Sequence, residues 1–169
     1  MKRLKTAFFH LFSYVDRYVK FPALKKGDIG IQVGFDMYSP LTSDLFEMSG
    51  KVGSKGLVLG IDPDEWNHQE AKKIIACRAA NNIRLQKLAT FSEQTRATFK
   101  FGERSSWSQL GNIAIDETVD FNGREEEVQL DTLDHILEME DINILDVAHV
   151  NITNNGAEYH TLLGFYQSF

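Results

Sequence analysis

Short apolar runs bounded by glycine, proline and polar clusters alternate along this chain with longer stretches patterned like helices. Ile29–Val33 reads as a short buried strand, followed by a helix over Leu41–Met48 that starts at Pro40 or a neighbour. Gly53, Ser54 and Gly56 mark a turn before a strand at Leu57–Ile61, then a helix over Glu65–Ala80 and a strand at Ile83–Leu88. Strands and helices alternating at these lengths predict βαβ units and a parallel sheet. The apolar run Ile142–Ala148 predicts a further parallel strand, which ends near Ile152. A polar loop containing Gly156 and a short helix over Glu158–Gly164 follow it.

Between these parts the period changes. Thr98–Phe101, Asn112–Ile115 and Val119–Phe121 alternate in short steps, separated by Gly102, Ser105, Ser106 and Gly111, which predicts a small antiparallel insertion. Asp131–Asp134 opens a helix running through Met139, with Asp131 as a cap and Asp134 as a first-turn acid.

The N-terminus has a different character. Leu4, Phe8, Leu11, Val15 and Tyr18 recur in steps of four and three, placing them on one helical face. Pro22 ends that helix, because it lacks a backbone donor and restricts the residue before it. Residues 1–25 thus form an amphipathic helical segment and 26–169 an α/β domain. The segment either packs on that domain or, with Lys2, Arg3 and Lys5, lies at a membrane surface; Asp16 favours packing. Charged residues interrupt it too often for a signal peptide or a bilayer span, so no transmembrane segment is expected and the cytoplasm is the expected compartment.

Composition narrows the function classes. With 169 residues, 43% of them hydrophobic, the chain suits one domain with a sizeable core. A formal charge of −6 argues against nucleic acid as a partner, since backbone binding needs clustered Lys and Arg. The single cysteine, Cys77, excludes an internal disulfide; beside Ile74 and Ile75 it reads as a buried small apolar residue. The five histidines are scattered without metal-ligand spacing, so no metal site is expected, and no nucleophile-elbow pattern occurs.

Four segments, in order, resemble one family. Lys26-Gly27-Asp28-Ile29-Gly30-Ile31-Gln32-Val33-Gly34-Phe35-Asp36 looks like its first strand, usually Gly-Asp, an apolar run, then Asp-Val-Gly-Ala-Asn. Leu57–Ile61 running into Asp62-Pro63-Asp64 looks like its second strand and acidic end, and Thr132-Leu133-Asp134 its Thr-Leu-Asp element. Asn151-Ile152-Thr153-Asn154-Asn155-Gly156-Ala157-Glu158 is similar to a segment that reads roughly Lys, Ile, Asp, Val, Glu, Gly, Ala, Glu. Together they resemble the FkbM-type methyltransferases, over most of the chain.

The resemblance implies a doubly wound, mostly parallel Rossmann-like sheet that binds S-adenosylmethionine and methylates a hydroxyl of a sugar or small metabolite. Gly34 supplies the tight turn, Asp62 accepts the ribose hydroxyls with Pro63 stiffening the turn behind it, and the segment around Ala89 and Thr90 neighbours the adenine. Asp36 stands at the family's Asn position, and Thr153, Asn155 and Glu158 face the transferred methyl. Several residues depart from the pattern. Gln32 replaces an Asp, Phe35 a small residue, and Asn151, Thr153 and Asn155 replace Lys, Asp and Glu. Thr153 and Asn155 can orient a hydroxyl but not take its proton; Glu158 can, or it serves the helix dipole instead. His149, within a strand, reads as structural.

Two rival readings remain. Gly27, Gly30 and Gly34 lie before, within and just after the strand rather than at a helix start, a poor dinucleotide fingerprint. A non-catalytic relative, kept as an interaction or regulatory module, fits the lost acids. The family's sheet normally continues past Ile152, so the expected fold is either incomplete at the C-terminus, as in a truncated or minimal relative or a fragment, or that of a subunit whose edge a homo-oligomer or a partner covers.

Overall fold

The computed structural model describes residues 20–40, 43–103, 108–111, 113 and 121–165. The proposed N-terminal helix therefore lies outside the described residues, apart from its end. So do Leu41 and most of Asn112–Ile115 and Val119–Phe121.

The chain runs β1 (Ile29–Val33), α1 (Asp44–Val52), β2 (Leu57–Ile61), α2 (Glu65–Arg78), β3 (Ile83–Gln86), β4 (Ala89–Thr90) and β5 (Thr95–Gly102). It continues through β6 (Gln109–Leu110), β7 (Phe121–Asp131), α3 (Leu133–Met139), β8 (Val147–Ile152) and α4 (Glu158–Leu163). One sheet has the order β3-β2-β1-β8, and every pair in it is parallel. That is the expected βαβ sheet. Period two divides its side chains between two layers. Ile31 and Val33 of β1 with Leu59 and Ile61 of β2 pack against Leu133, Ile136 and Leu137 of α3. The opposite face carries α1 and α2, with Leu45, Met48 and Val52 sealed against Val58 and Ile83. Gly30 and Gly60 lie on this face because α1 comes close: a methyl group at Gly60 would stand 2.7 Å from Leu45 Cδ1, and one at Gly30 2.6 Å from Met48 Cε. Each fully buried Leu or Ile contributes about 1.5–3 kcal/mol.

The insertion is larger than its alternation suggests. It forms a second four-stranded sheet, order β4-β7-β5-β6, that is mixed rather than purely antiparallel. β5 pairs antiparallel with β7 and β6, but β4 runs parallel to β7 through Ala89↔Leu130 and Thr90↔Asp131. Ala89–Thr90 belongs to this sheet, not to the first, so the strand expected to reach Leu88 stops at Gln86. Phe91, Phe99, Phe101, Leu110, Val128 and Leu130 close its core.

Two local expectations are corrected. Cys77 is exposed: α2 turns Asn67, His68 and Ala71 inward, and Cys77 falls outside that stripe. Thr132, not Asp131, caps α3 by accepting the His135 N–H. Asp131 ends β7, accepting from the Thr132 N–H at 2.7 Å and facing His135 Nδ1 at 2.9 Å. Asp134 sits in the first turn, as expected. None of the described helices is long and apolar enough to cross a membrane.

Candidate functional site

In the parallel sheet β2 and β3 lie on one side of β1 and β8 on the other, so the chain reverses direction across the sheet at the β1/β8 boundary. Crevices at the carboxyl ends of strands beside such a reversal are where open α/β sheets hold ligands. A cavity of ≈ 200 Å³ opens there. The loop after β1 contributes Gly34, Phe35 and Asp36; the loop after β2 gives Asp62, Pro63 and Asp64; Asn67 comes from α2. Leu88, Ala89 and Thr90 follow β3, Thr153, Asn154, Asn155 and Ala157 follow β8, and Phe99, Ser108 and Leu110 reach in from the second sheet.

Asp62 organises the floor. Its Oδ2 accepts the Phe35 N–H at 3.1 Å, and its Oδ1 accepts the Asp64 N–H at 2.8 Å and Asn67 Nδ2 at 3.2 Å. One carboxylate thus joins the first loop, the second loop and α2. Burial pushes its carboxyl up to about 7, against the hydrogen bonds from Asp64, Asn67 and Phe35, which favour the ionised form. Asp64 caps α2 by accepting the Trp66 N–H, and its carboxyl is also raised by burial. His68 Nε2 lies 2.7 Å from the Asp62 carbonyl, and burial lowers its pKa, leaving it neutral inside the fold.

Gly34 is required by the neighbouring loop. Its φ is +72°, and a methyl group there would overlap the Thr153 carbonyl. The two loops are further joined by Gln32, which is 1% exposed and paired with Asn151 across the β1/β8 register. Gln32 Nε2 donates to the Gly34 carbonyl at 2.6 Å and to Thr153 Oγ1 at 3.1 Å, while Gln32 Oε1 accepts Asn151 Nδ2 at 2.8 Å. A neutral amide pair thus fills two facing positions of neighbouring strands. Asn151 also donates to Asp44, which pairs with Lys20.

The last loop is held just as firmly. The Thr153 hydroxyl lies 3.0 Å from the Gly34 carbonyl and 3.2 Å from that of Val33. Asn155, at φ +51°, donates from Nδ2 to the Ser108 carbonyl at 2.7 Å, tying β8 to the second sheet. Glu158 accepts the Asn154 N–H on Oε1 and the Gly156 N–H on Oε2, at 3.2 and 2.9 Å.

Gly34, Asp36, Asp62, Pro63, Ala89, Thr153 and Asn155 all line one cavity, although they come from three separate loops and strand β4. Glu158 does not line it; its carboxylate closes the turn that leads into α4. Sequence reasoning passed over Asp64, Asn67, Asn154 and the residues from the second sheet, whereas Thr90, expected beside Ala89, lines the cavity with it. Asp64 carried a signal, an acid directly before a helix. The others depend on contacts distant in sequence.

A scan against protein-family models finds no match for the chain, and neither do searches of the curated proteins and of the solved structures.

Proposed function

We propose that the chain is a Rossmann-like domain that binds S-adenosylmethionine and acts in the cytoplasm as an O-methyltransferase on a sugar or small-metabolite hydroxyl. One observation carries the cofactor reading. Every ionisable side chain lining the cavity, among the described residues, is an acid: Asp36, Asp62 and Asp64. Such a lining favours a ligand with a positive centre and hydroxyl donors, as a sulfonium nucleoside has, and opposes a pyrophosphate. That weighs against a nicotinamide dinucleotide. Asp62, at the end of β2, already accepts three hydrogen bonds and keeps one acceptor position, on Oδ2, for a ribose hydroxyl.

Methyl transfer to oxygen needs the acceptor hydroxyl in line with the sulfur–methyl bond and a base for its proton. When bound, the cofactor would supply a sulfonium methyl for the acceptor oxygen to displace, leaving a neutral thioether, and the hydroxyl proton would pass to Glu158 or to a basic group of the acceptor itself. Thr153 and Asn155 orient but do not deprotonate. A second reading, a cofactor-binding module without turnover, is favoured by Glu158, whose two oxygens each already accept a backbone N–H.

Calorimetric titration with S-adenosylmethionine, with a nicotinamide dinucleotide as comparison, tests the cofactor reading: saturable binding of the first alone is expected. No binding of the first, or tighter binding of the second, overturns it. Single-turnover assays on a panel of hydroxylated metabolites then separate enzyme from module.

A further inference from the structure

The basic residues of this acidic chain are unevenly placed. Residues 1–28 hold seven of its 18 Lys and Arg but only two of its 24 Asp and Glu. The described part of that stretch lies at the amino ends of the strands, opposite the cavity. The Gly27 N–H donates to the Val52 carbonyl at 2.8 Å, and the Leu57 N–H to the Asp28 carbonyl at 3.1 Å. The turn before β1 and the turn between α1 and β2 therefore run side by side, which brings Lys25 and Lys26 together with Lys55. All three are exposed, and none of their ammonium groups meets an acid among the described residues. Lys73, Lys87, Arg96, Lys100 and Arg124 elsewhere each do. Of the acids nearby, Asp28 accepts the Lys25 N–H at 2.7 Å. Asp146 precedes β8, on the other side of β1, and Asp141 follows α3, across the sheet from α1. Lys51, in the last turn of α1, donates to the carbonyls of Lys20 and Phe21, so the N-terminal segment joins the domain at this same end.

That segment carries Lys2, Arg3, Lys5 and Arg17 beside the apolar positions Leu4, Phe8, Leu11, Val15 and Tyr18. An apolar face with a basic flank suits the interface of an anionic bilayer, which buries the one and attracts the other. A nucleic acid offers nothing to the apolar face. We propose that this end of the molecule, Lys25, Lys26 and Lys55 together with the N-terminal segment, docks on an anionic lipid surface. Docked in this way, the cavity at the carboxyl ends of the strands faces away from the lipid. The proposal is independent of the cofactor reading.

The test is flotation of the full chain with phosphatidylcholine vesicles, with and without about 30 mol% phosphatidylserine. Binding to the anionic vesicles is expected to be at least about tenfold tighter than to the neutral ones, and to be lost in about 0.5 M salt. Lys25→Glu, Lys26→Glu and Lys55→Glu combined are expected to weaken it at least about tenfold, with the three Lys→Gln changes as a second variant should the first fail to fold. Phe8→Asp, on the apolar face, is expected to weaken it as well. Equal binding to both vesicles overturns the proposal, as does binding to neither, the result of a segment that packs only on its own domain. Anionic binding that a folded lysine variant or Phe8→Asp leaves undiminished overturns it too.

Discussion

At the scale of single residues, Asp62 connects stability with binding through its proton. Burial raises its carboxyl from an ordinary value of 3.8 to about 7. A raised folded-state pKa means that ionisation is harder in the fold than in the unfolded chain. The associated stability is full below the ordinary value and is lost as pH rises through about 7. Chemical denaturation should therefore show a stability component that falls between about pH 4 and pH 7 and then levels. Asp62→Asn should lose that component even though its overall stability is lower. A pH profile unchanged by the substitution would show that Asp62 is not its source. Ligand binding should follow the opposite course if the carboxylate accepts the ribose: S-adenosylmethionine should bind more tightly as pH rises through about 7. Asp62→Ala should weaken it by about 1.5–3 kcal/mol, the worth of a charged hydrogen bond, as read by calorimetry. Gly34 invites a simpler test. With φ +72° and the Thr153 carbonyl against it, Gly34→Ala should destabilise by at least about 1 kcal/mol in thermal or denaturant unfolding.

At the scale of elements, much of the first sheet was legible, because fully buried parallel strands appear as continuous apolar runs between turn residues. Ile29–Val33 and Leu57–Ile61 needed no tertiary information. The two-residue strands β4 and β6 left no periodic signal, and their pairing depends on β7 and β5. Cys77 was misplaced because Ile74 and Ile75 do share the inner face of Asn67, His68 and Ala71, but Cys77, two residues past Ile75, turns off that face. Of the site, Gly34, Asp62 and Thr153 were legible from turn chemistry and resemblance. The pairing of Gln32 with Asn151 was not, because it depends on the β1/β8 register between residues far apart in the chain. That pairing is testable by a mutant cycle. Gln32→Asp alone places a buried charge opposite a neutral amide and should cost about 3 kcal/mol or more. Adding Asn151→Lys should recover much of that loss, giving a favourable coupling energy. Additive losses in the double mutant would show that the two positions do not act as a unit.

At the scale of the whole molecule, β8 is the feature that reaches beyond the chain. Among the described residues it pairs with β1 only, so its other edge presents backbone donors and acceptors to whatever lies beside it. Natural edges are blunted by lysine, proline or a bulge that turns the edge away. The strand Val-Ala-His-Val-Asn-Ile contains neither lysine nor proline; its one irregularity is a register shift at Ala148 in the pairing with β1, and its only charge-capable residue, His149, is partly buried against the ring of Phe21, which lowers its pKa. We predict that this edge associates with a second copy or a partner, and that wild-type protein sediments above the monomer mass in a concentration-dependent way. Ala148 is exposed and lies outside the hydrophobic core, so Ala148→Lys adds a charge at the edge without disturbing packing. It should shift the sedimentation profile toward monomer while leaving the unfolding midpoint nearly unchanged. A stable wild-type monomer at all concentrations would exclude self-association. An oligomer that Ala148→Lys leaves intact would place the interface on another surface.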